Sequence, residues 1–239
     1  MEKELQIKTE DKKVIYGTLS AAKVSNQKVV VFTHGFLGNR NEHIFFNGAK
    51  YFTEKGYDTF RFDLFSGAKD GRHFRDTKIS VHGEDLNTVI RHFKKIYKKI
   101  YVVGHSYGGT TLLFADSSLI DALVFWDASY IKKRKKEFPY NKKFQSFVMD
   151  YGFEAVVGKS YVDELKNFPD CGKLIGQIHV PVKFITAGKL GNEKAGKKYF
   201  LKANEPKELV NIATANHNFD GFNEERTLIE ETYNWLEKF

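Results

Sequence analysis

A single cysteine, Cys171, stands in a chain of 239 residues. No internal disulfide can form, and no second cysteine or neighbouring histidine lies at metal-ligand spacing, which fits a reducing compartment. Nowhere is there an apolar run of the ~18 residues needed to cross a bilayer. The start, Met1-Glu2-Lys3-Glu4, is charged and lacks the apolar core of a signal peptide. A soluble, cytoplasmic protein without stable membrane insertion is therefore expected. Internal repeats and low-complexity tracts are also missing, and no basic stretch is interleaved with aromatics in the manner of a nucleic-acid module. The net charge of +8, from 38 Lys and Arg against 30 Asp and Glu, is read as solvation that favours weakly acidic surfaces or anionic substrates. No nucleic-acid partner is expected.

What the chain does contain is an alternation of buried strands and amphipathic helices. Residues Leu5 to Leu19 alternate apolar and polar about Asp11-Lys12-Lys13, as two short antiparallel edge strands would. Lys28 to Thr33 is a near-continuous apolar run of the kind buried on both faces of a parallel sheet. A helix is expected over Glu42 to Lys55, a strand over Tyr57 to Phe62, a loop from Leu64 to Thr77, and a helix over Val81 to Lys95. Lys99 to Val103 and Leu123 to Trp126 read as two further buried strands. From Ser129 to Ile178 the alternation stops and no clear strand is expected. Pro181 to Ala187, Glu208 to Ala213 and Glu224 to Phe239 then resume it as strand, strand and closing helix. Such a pattern implies a mostly parallel sheet with helices on both faces, right-handed crossovers and a site at the strand carboxyl ends. One domain over 1–239 is expected, with 129–178 inserted as a cap or lid.

Chemistry concentrates at those strand ends. Gly104-His105-Ser106-Tyr107-Gly108-Gly109 joins a strand to a helix, a context in which a strained turn lifts a serine hydroxyl clear of the sheet and needs small neighbours. The Tyr107 N–H then opens a helix and faces the position of an oxyanion. A serine hydroxyl needs a base within hydrogen-bond reach. Of eight histidines, His217 lies after the last expected strand and before the last helix, where this topology places its base. His105 is expected to point the wrong way round the turn. His73, His82, His92 and His179 are read as surface or packing residues. His34-Gly35-Phe36 follows the first buried strand, and its loop is the expected source of a second oxyanion donor, the N–H of Phe36.

Together these residues make the chain resemble an α/β-hydrolase, and more narrowly the bacterial cinnamoyl/feruloyl-type serine esterases. The likeness rests on His34-Gly35-Phe36-Leu37-Gly38-Asn39-Arg40-Asn41, Arg61-Phe62-Asp63, the motif around Ser106, and His217. It implies the α/β-hydrolase fold, ester cleavage and a structural role for Asp63 in supporting the loop beyond its strand. It fails at one place. Those esterases carry an aspartate three residues after a glycine ending the penultimate strand; here the glycine is Gly188, and Gly191 occupies the acid's position. Two carboxylates are candidates instead. Phe125-Trp126-Asp127-Ala128 resembles hydrolases, such as pancreatic-type lipases, that place the acid after an earlier strand, and Glu193 lies slightly downstream of Gly191. Asp127 is the preferred assignment and Glu193 the alternative.

The expected function is thus a serine esterase without metal or cofactor, acting on a small-molecule carboxylic ester through Ser106, His217 and Asp127, with Phe36 and Tyr107 as oxyanion donors. Alternatives are a thioesterase or lipid esterase on the same residues, or a non-catalytic binding protein of the same fold. Phe138, Tyr140, Phe144, Phe147, Met149, Tyr151 and Phe153 are candidates to line an apolar pocket, and Lys132 to Lys136 to meet an anion, although packing and solvation account for most of them.

Overall fold

Val29 and Val31 of the strand over Lys28–Thr33 pack on one face of a sheet, Val30 and Phe32 on the other, and all four are buried. This period-2 division of an apolar run is what covers both faces of a parallel sheet. The structure, a computed structural model, describes residues 1–24, 27–76, 78–133, 138–150 and 154–239. Its elements in chain order are β1 (Glu2–Lys8), β2 (Val14–Ser20), β3 (Lys28–Thr33), α1 (His43–Glu54), β4 (Asp58–Phe62), α2 (Ile79–Lys94), β5 (Lys99–His105), α3 (Tyr107–Thr111) and β6 (Ala122–Trp126). They continue with β7 (Tyr140–Asn141), β8 (Ser146–Asp150), β9 (Glu154–Val157), α4 (Lys159–Lys166), α5 (Cys171–Ile175), β10 (Val182–Ala187), α6 (Glu193–Lys202), β11 (Lys207–Ile212) and α7 (Glu224–Leu236).

Eight strands form one sheet in the order β1-β2-β4-β3-β5-β6-β10-β11. The hairpin β1–β2 and its junction with β4 are antiparallel; every other neighbouring pair is parallel. Helices α1 and α7 cover one face, where Phe45, Phe52, Leu228 and Trp235 meet Phe32, Trp126 and Ile185. The Trp126 indole, fully buried, donates to Thr232 Oγ1 at 2.8 Å, so its polar edge is satisfied inside that core. The opposite face takes Leu86, Val89 and Phe93 of α2 and Tyr199 of α6. From β3 the chain moves outward to β4 and later returns on the other side as β5. That reversal leaves a crevice beyond the carboxyl ends of β3 and β5, the general ligand position in open α/β sheets.

The connection from β6 to β10 differs from the sequence expectation in one respect. It contains a three-stranded antiparallel sheet, β7-β8-β9, where no strand was expected. These strands are two to five residues long, too short for alternation to stand out from an aromatic-rich background. Met149, Ala155 and Val157 are buried with Val162 and Leu165 of α4 and merge with the main core. Phe138 is buried and Phe147 is partly buried against that core, whereas Tyr140 and Phe144 are exposed. Tyr151 and Phe153, and residues 134–136 of the basic run, lie outside the described residues; Lys132 and Lys133 are exposed. Helix α6 was also not anticipated. No helix among the described residues is long and apolar enough to cross a membrane.

Candidate active site

Strand β5 ends at His105 and α3 begins at Tyr107, which leaves Ser106 alone at the turn with φ 54° and ψ −115°. Positive φ is strained for a residue with a side chain and persists only where the surroundings hold it. Here Ser106 N–H donates to Trp126 O at 2.9 Å, and its neighbours are crowded: a Cβ at Gly104 would stand 2.7 Å from Gly108 O. One at Gly108 would fall inside van der Waals contact of Thr33 O and overlap His34 O. Only glycine fits at these two positions, so the turn packs directly on the end of β3. Gly35 faces the same turn: a Cβ there would stand 3.3 Å from His105 Nδ1 and 3.4 Å from Ser106 Cβ.

His217 sits in the loop between β11 and α7. Its Nε2 is 2.9 Å from Ser106 Oγ and its Nδ1 is 2.5 Å from Asp127 Oδ2. The imidazole is partly exposed, at 36 %, while Asp127 is wholly buried. An ionised carboxylate without partners would be costly at such a depth, but this one is saturated. Oδ1 accepts from Ala187 N and Asn192 N at 2.9 Å, and Oδ2 accepts from Asn192 N at 2.9 Å as well as from His217. Asn192 Nδ2 returns a bond to Asp127 O at 2.9 Å. The loop after β10 therefore wraps Asp127 with donors. Glu193, the other candidate carboxylate, opens α6 and pairs with Lys197 one turn along, at 2.5 Å.

His105, beside Ser106, points away from the Ser106 hydroxyl and is tied to His217 instead. His105 Nε2 lies 2.8 Å from the carbonyl oxygen of His217, to which it donates. The two rings pack at 4.8 Å. Burial, with the His217 ring as a lesser contribution, pushes the His105 pKa down to about 4, so it stays neutral at physiological pH. His34 Nε2 accepts from Leu64 N at 2.9 Å, which puts the ring proton on Nδ1, 2.8 Å from Gly35 O; burial lowers its pKa too. His82 is a packing residue: it is fully buried, with Nδ1 3.1 Å from the Tyr107 hydroxyl and a pKa pushed down to about 3 by burial.

Tyr107 is the first residue of α3, where backbone N–H groups have no acceptor within the helix. Phe36 lies in the loop after β3. Its ring packs on Tyr107 at 5.5 Å, on Phe74 at 5.1 Å, and stacks on Tyr161 of α4 at 5.8 Å. Farther along the same loop Arg40 N donates to Asp63 Oδ1 at 3.0 Å and its guanidinium pairs with Asp63 Oδ2 at 3.2 Å. Asp63 thus supports the loop beyond its strand. No group of three or more His, Cys, Asp or Glu side chains among the described residues is arranged to hold a metal.

Ser106, His217 and Asp127 thus form one hydrogen-bonded chain assembled from the ends of β5, β6 and β11. The family described as the alpha/beta hydrolase fold matches residues 28–170, more than half of the chain. The chain belongs to the alpha/beta hydrolase family. Among solved structures, Est1E from Butyrivibrio proteoclasticus, determined with ferulic acid bound, superposes with a TM-score of 0.80 at 18% identity, covering 98% of this chain and 99% of that one. The esterase domain of a Rhodothermus marinus protein gives a TM-score of 0.74 at 19% identity over 100% and 98% of the two chains. The alpha/beta hydrolase GrgF from Penicillium sp. gives 0.80 at 17% over 100% and 98%. No curated protein matches the sequence. Against the alpha/beta hydrolase frame, Asn192 and Ser129 are the site residues that sequence reasoning missed. Asn192 acts mainly through its backbone, which carries no residue-type signal.

Proposed function

We propose that this chain is a serine hydrolase that cleaves a carboxylic ester of a small molecule through an acyl-enzyme on Ser106. The observation that carries the reading is the chain of contacts from Asp127 Oδ2 through His217 to Ser106 Oγ, at 2.5 and 2.9 Å. Fold likeness to the esterase domain of the Rhodothermus marinus protein, and to Est1E with its bound ferulic acid, supports the choice of substrate class. The reading takes 1–239 as one hydrolase domain with 129–178 as its cap.

The proposed reaction follows from the proton positions. Asp127, ionised, accepts the Nδ1 proton and so leaves Nε2 as the basic nitrogen. Nε2 takes the Ser106 proton as Oγ bonds to the ester carbonyl carbon, and the carbonyl electron pair moves onto oxygen. The N–H groups of Tyr107 and Phe36 serve as donors to that oxyanion, an effect worth ~3–4 kcal/mol per donor elsewhere. His217 then protonates the departing alcohol and activates the water that releases the acid.

A fluorophosphonate probe tests the reading. Wild-type protein labels covalently at Ser106 and hydrolyses short-chain p-nitrophenyl esters, and Ser106→Ala loses both. A folded wild-type protein that neither labels nor turns over any ester defeats the proposal.

A further inference from the structure

Ser129 stands two residues after Asp127, at the root of the connection from β6 to β7, and its backbone is tied down on both sides. Its N–H donates to Ser106 O at 3.0 Å. Its carbonyl accepts from Thr110 Oγ1 at 2.6 Å and from the Tyr199 hydroxyl at 2.7 Å. The main chain at Ser129 cannot shift against the turn that carries Ser106, and rotation about χ1 is the freedom left to the side chain. Its Oγ lies 3.3 Å from Ser106 Oγ.

The direction of that contact follows from the proton inventory. The Asp127 carboxylate has no proton to give, so His217 donates from Nδ1 and accepts at Nε2. Ser106 has one hydroxyl proton and spends it on Nε2. In the contact between the two serines, the proton therefore belongs to Ser129, and Ser106 Oγ is the acceptor.

The geometry points to Ser129 as a second catalytic hydroxyl, a fixed donor to the nucleophilic oxygen while that oxygen loses its proton. The inference rests on the proposed role of Ser106 and adds a group to it. In acylation the Ser106 proton passes to His217 Nε2, the Oγ–carbon bond forms, and the carbonyl electron pair moves to oxygen; Ser129 keeps its own proton throughout. As negative charge grows on Ser106 Oγ before that bond is complete, the Ser129 bond becomes charge-assisted and shortens. The same bond holds the Ser106 side chain in the rotamer that faces Nε2. Once acylated, Oγ is an ester oxygen and a poor acceptor, so the benefit falls on attack by Ser106.

Fluorophosphonate labelling isolates that step, because the phosphonylated serine is not turned over. Ser129→Ala should lower the second-order labelling rate by between about fivefold, the effect of losing one ordinary hydrogen bond, and about thirtyfold, that of a charge-assisted one. Ser129→Thr keeps the hydroxyl and should return the rate to within about twofold of wild type. Thermal unfolding of both variants is recorded alongside, since a merely structural residue would lower stability and labelling together and would not separate Ala from Thr. Should Ser129→Ala fail to fold, Ser129→Gly removes the same hydroxyl without a side chain and is held to the same standard. A wild-type protein that labels, with the hydroxyl-free variant labelling equally fast, overturns this inference and leaves Ser106 as the nucleophile. Failure of the wild type itself to label overturns both.

Discussion

A Cβ on Gly191 would stand 2.5 Å from Ala187 Cβ and inside contact of Ala187 O. The position that the resemblance to cinnamoyl/feruloyl-type esterases implies for an acid is thus closed to any side chain here, while Asp127 reaches His217 Nδ1 from the end of β6.

From this geometry, Asp127→Asn should lower kcat by about 10²- to 10⁴-fold, because an amide no longer selects the Nδ1–H tautomer. Glu193→Gln should stay within about twofold of wild type, since Glu193 pairs with Lys197 while His217 Nδ1 is engaged by Asp127. Adding Gly191→Asp to Asp127→Asn should restore nothing and should lower the melting temperature. Steady-state ester hydrolysis by the three variants checks this, and restored turnover in the double variant contradicts it.

The strand run before Ser106, the glycines about it and the placement of His217 after the last strand were legible because each leaves a local mark on residue type. Fold and family followed from them. Which carboxylate meets the imidazole was not local: Asp127 is held by the backbone N–H groups of Ala187 and Asn192, some sixty residues later, and a backbone donor leaves no letter in the sequence. Ser129 was invisible for the same reason, since its place is set by backbone bonds to Ser106, Thr110 and Tyr199. The strands β7 to β9 were missed because two to five residues give a period-2 pattern no room to repeat.

Gly108→Ala should remove activity by deforming the fold and not by touching a reacting group. The new methyl would press on backbone oxygens of Thr33 and His34, which cannot rotate away as side chains do. A stability loss of about 2 kcal/mol or more is expected in urea unfolding. Wild-type stability in this variant would show that the turn relaxes more freely than its contacts allow.

Acid should destabilise the protein before its carboxylates are neutralised. His105, His82 and His34 are buried, and burial lowers their pKa values below the ordinary 6.5, to about 4 for His105 and about 3 for His82. The unfolded chain then binds protons below pH 6.5 that the folded chain refuses, so stability falls as pH drops from about 6.5 towards 4 and is highest above that window. His105 alone accounts for a loss on the order of 3 kcal/mol across it. Denaturant midpoints at pH 7, 5.5 and 4.5 should fall steadily, and more shallowly in His82→Gln; a flat profile contradicts the assignment.

The stack of Tyr161 on Phe36 joins α4 to the loop after β3. Tyr161→Ala should slow fluorophosphonate labelling by about two- to tenfold, the range expected when one aromatic contact that positions the loop is lost. Phe144→Ala, at an exposed position between β7 and β8, serves as the control and should label at the wild-type rate.

The five residues 188–192 touch both Asp127 and the loop that carries His217. Asn192 holds the Asp127 carboxylate, and Lys189 N–H donates to Ala215 O at 2.7 Å, two residues before the imidazole. The segment works as a ruler between acid and base. Lys189 and Leu190 face solvent, so their side chains add no packing constraint, but adding or deleting a single residue would move one contact out of reach of the other. What the geometry fixes there is a length, with glycine at 188 and 191.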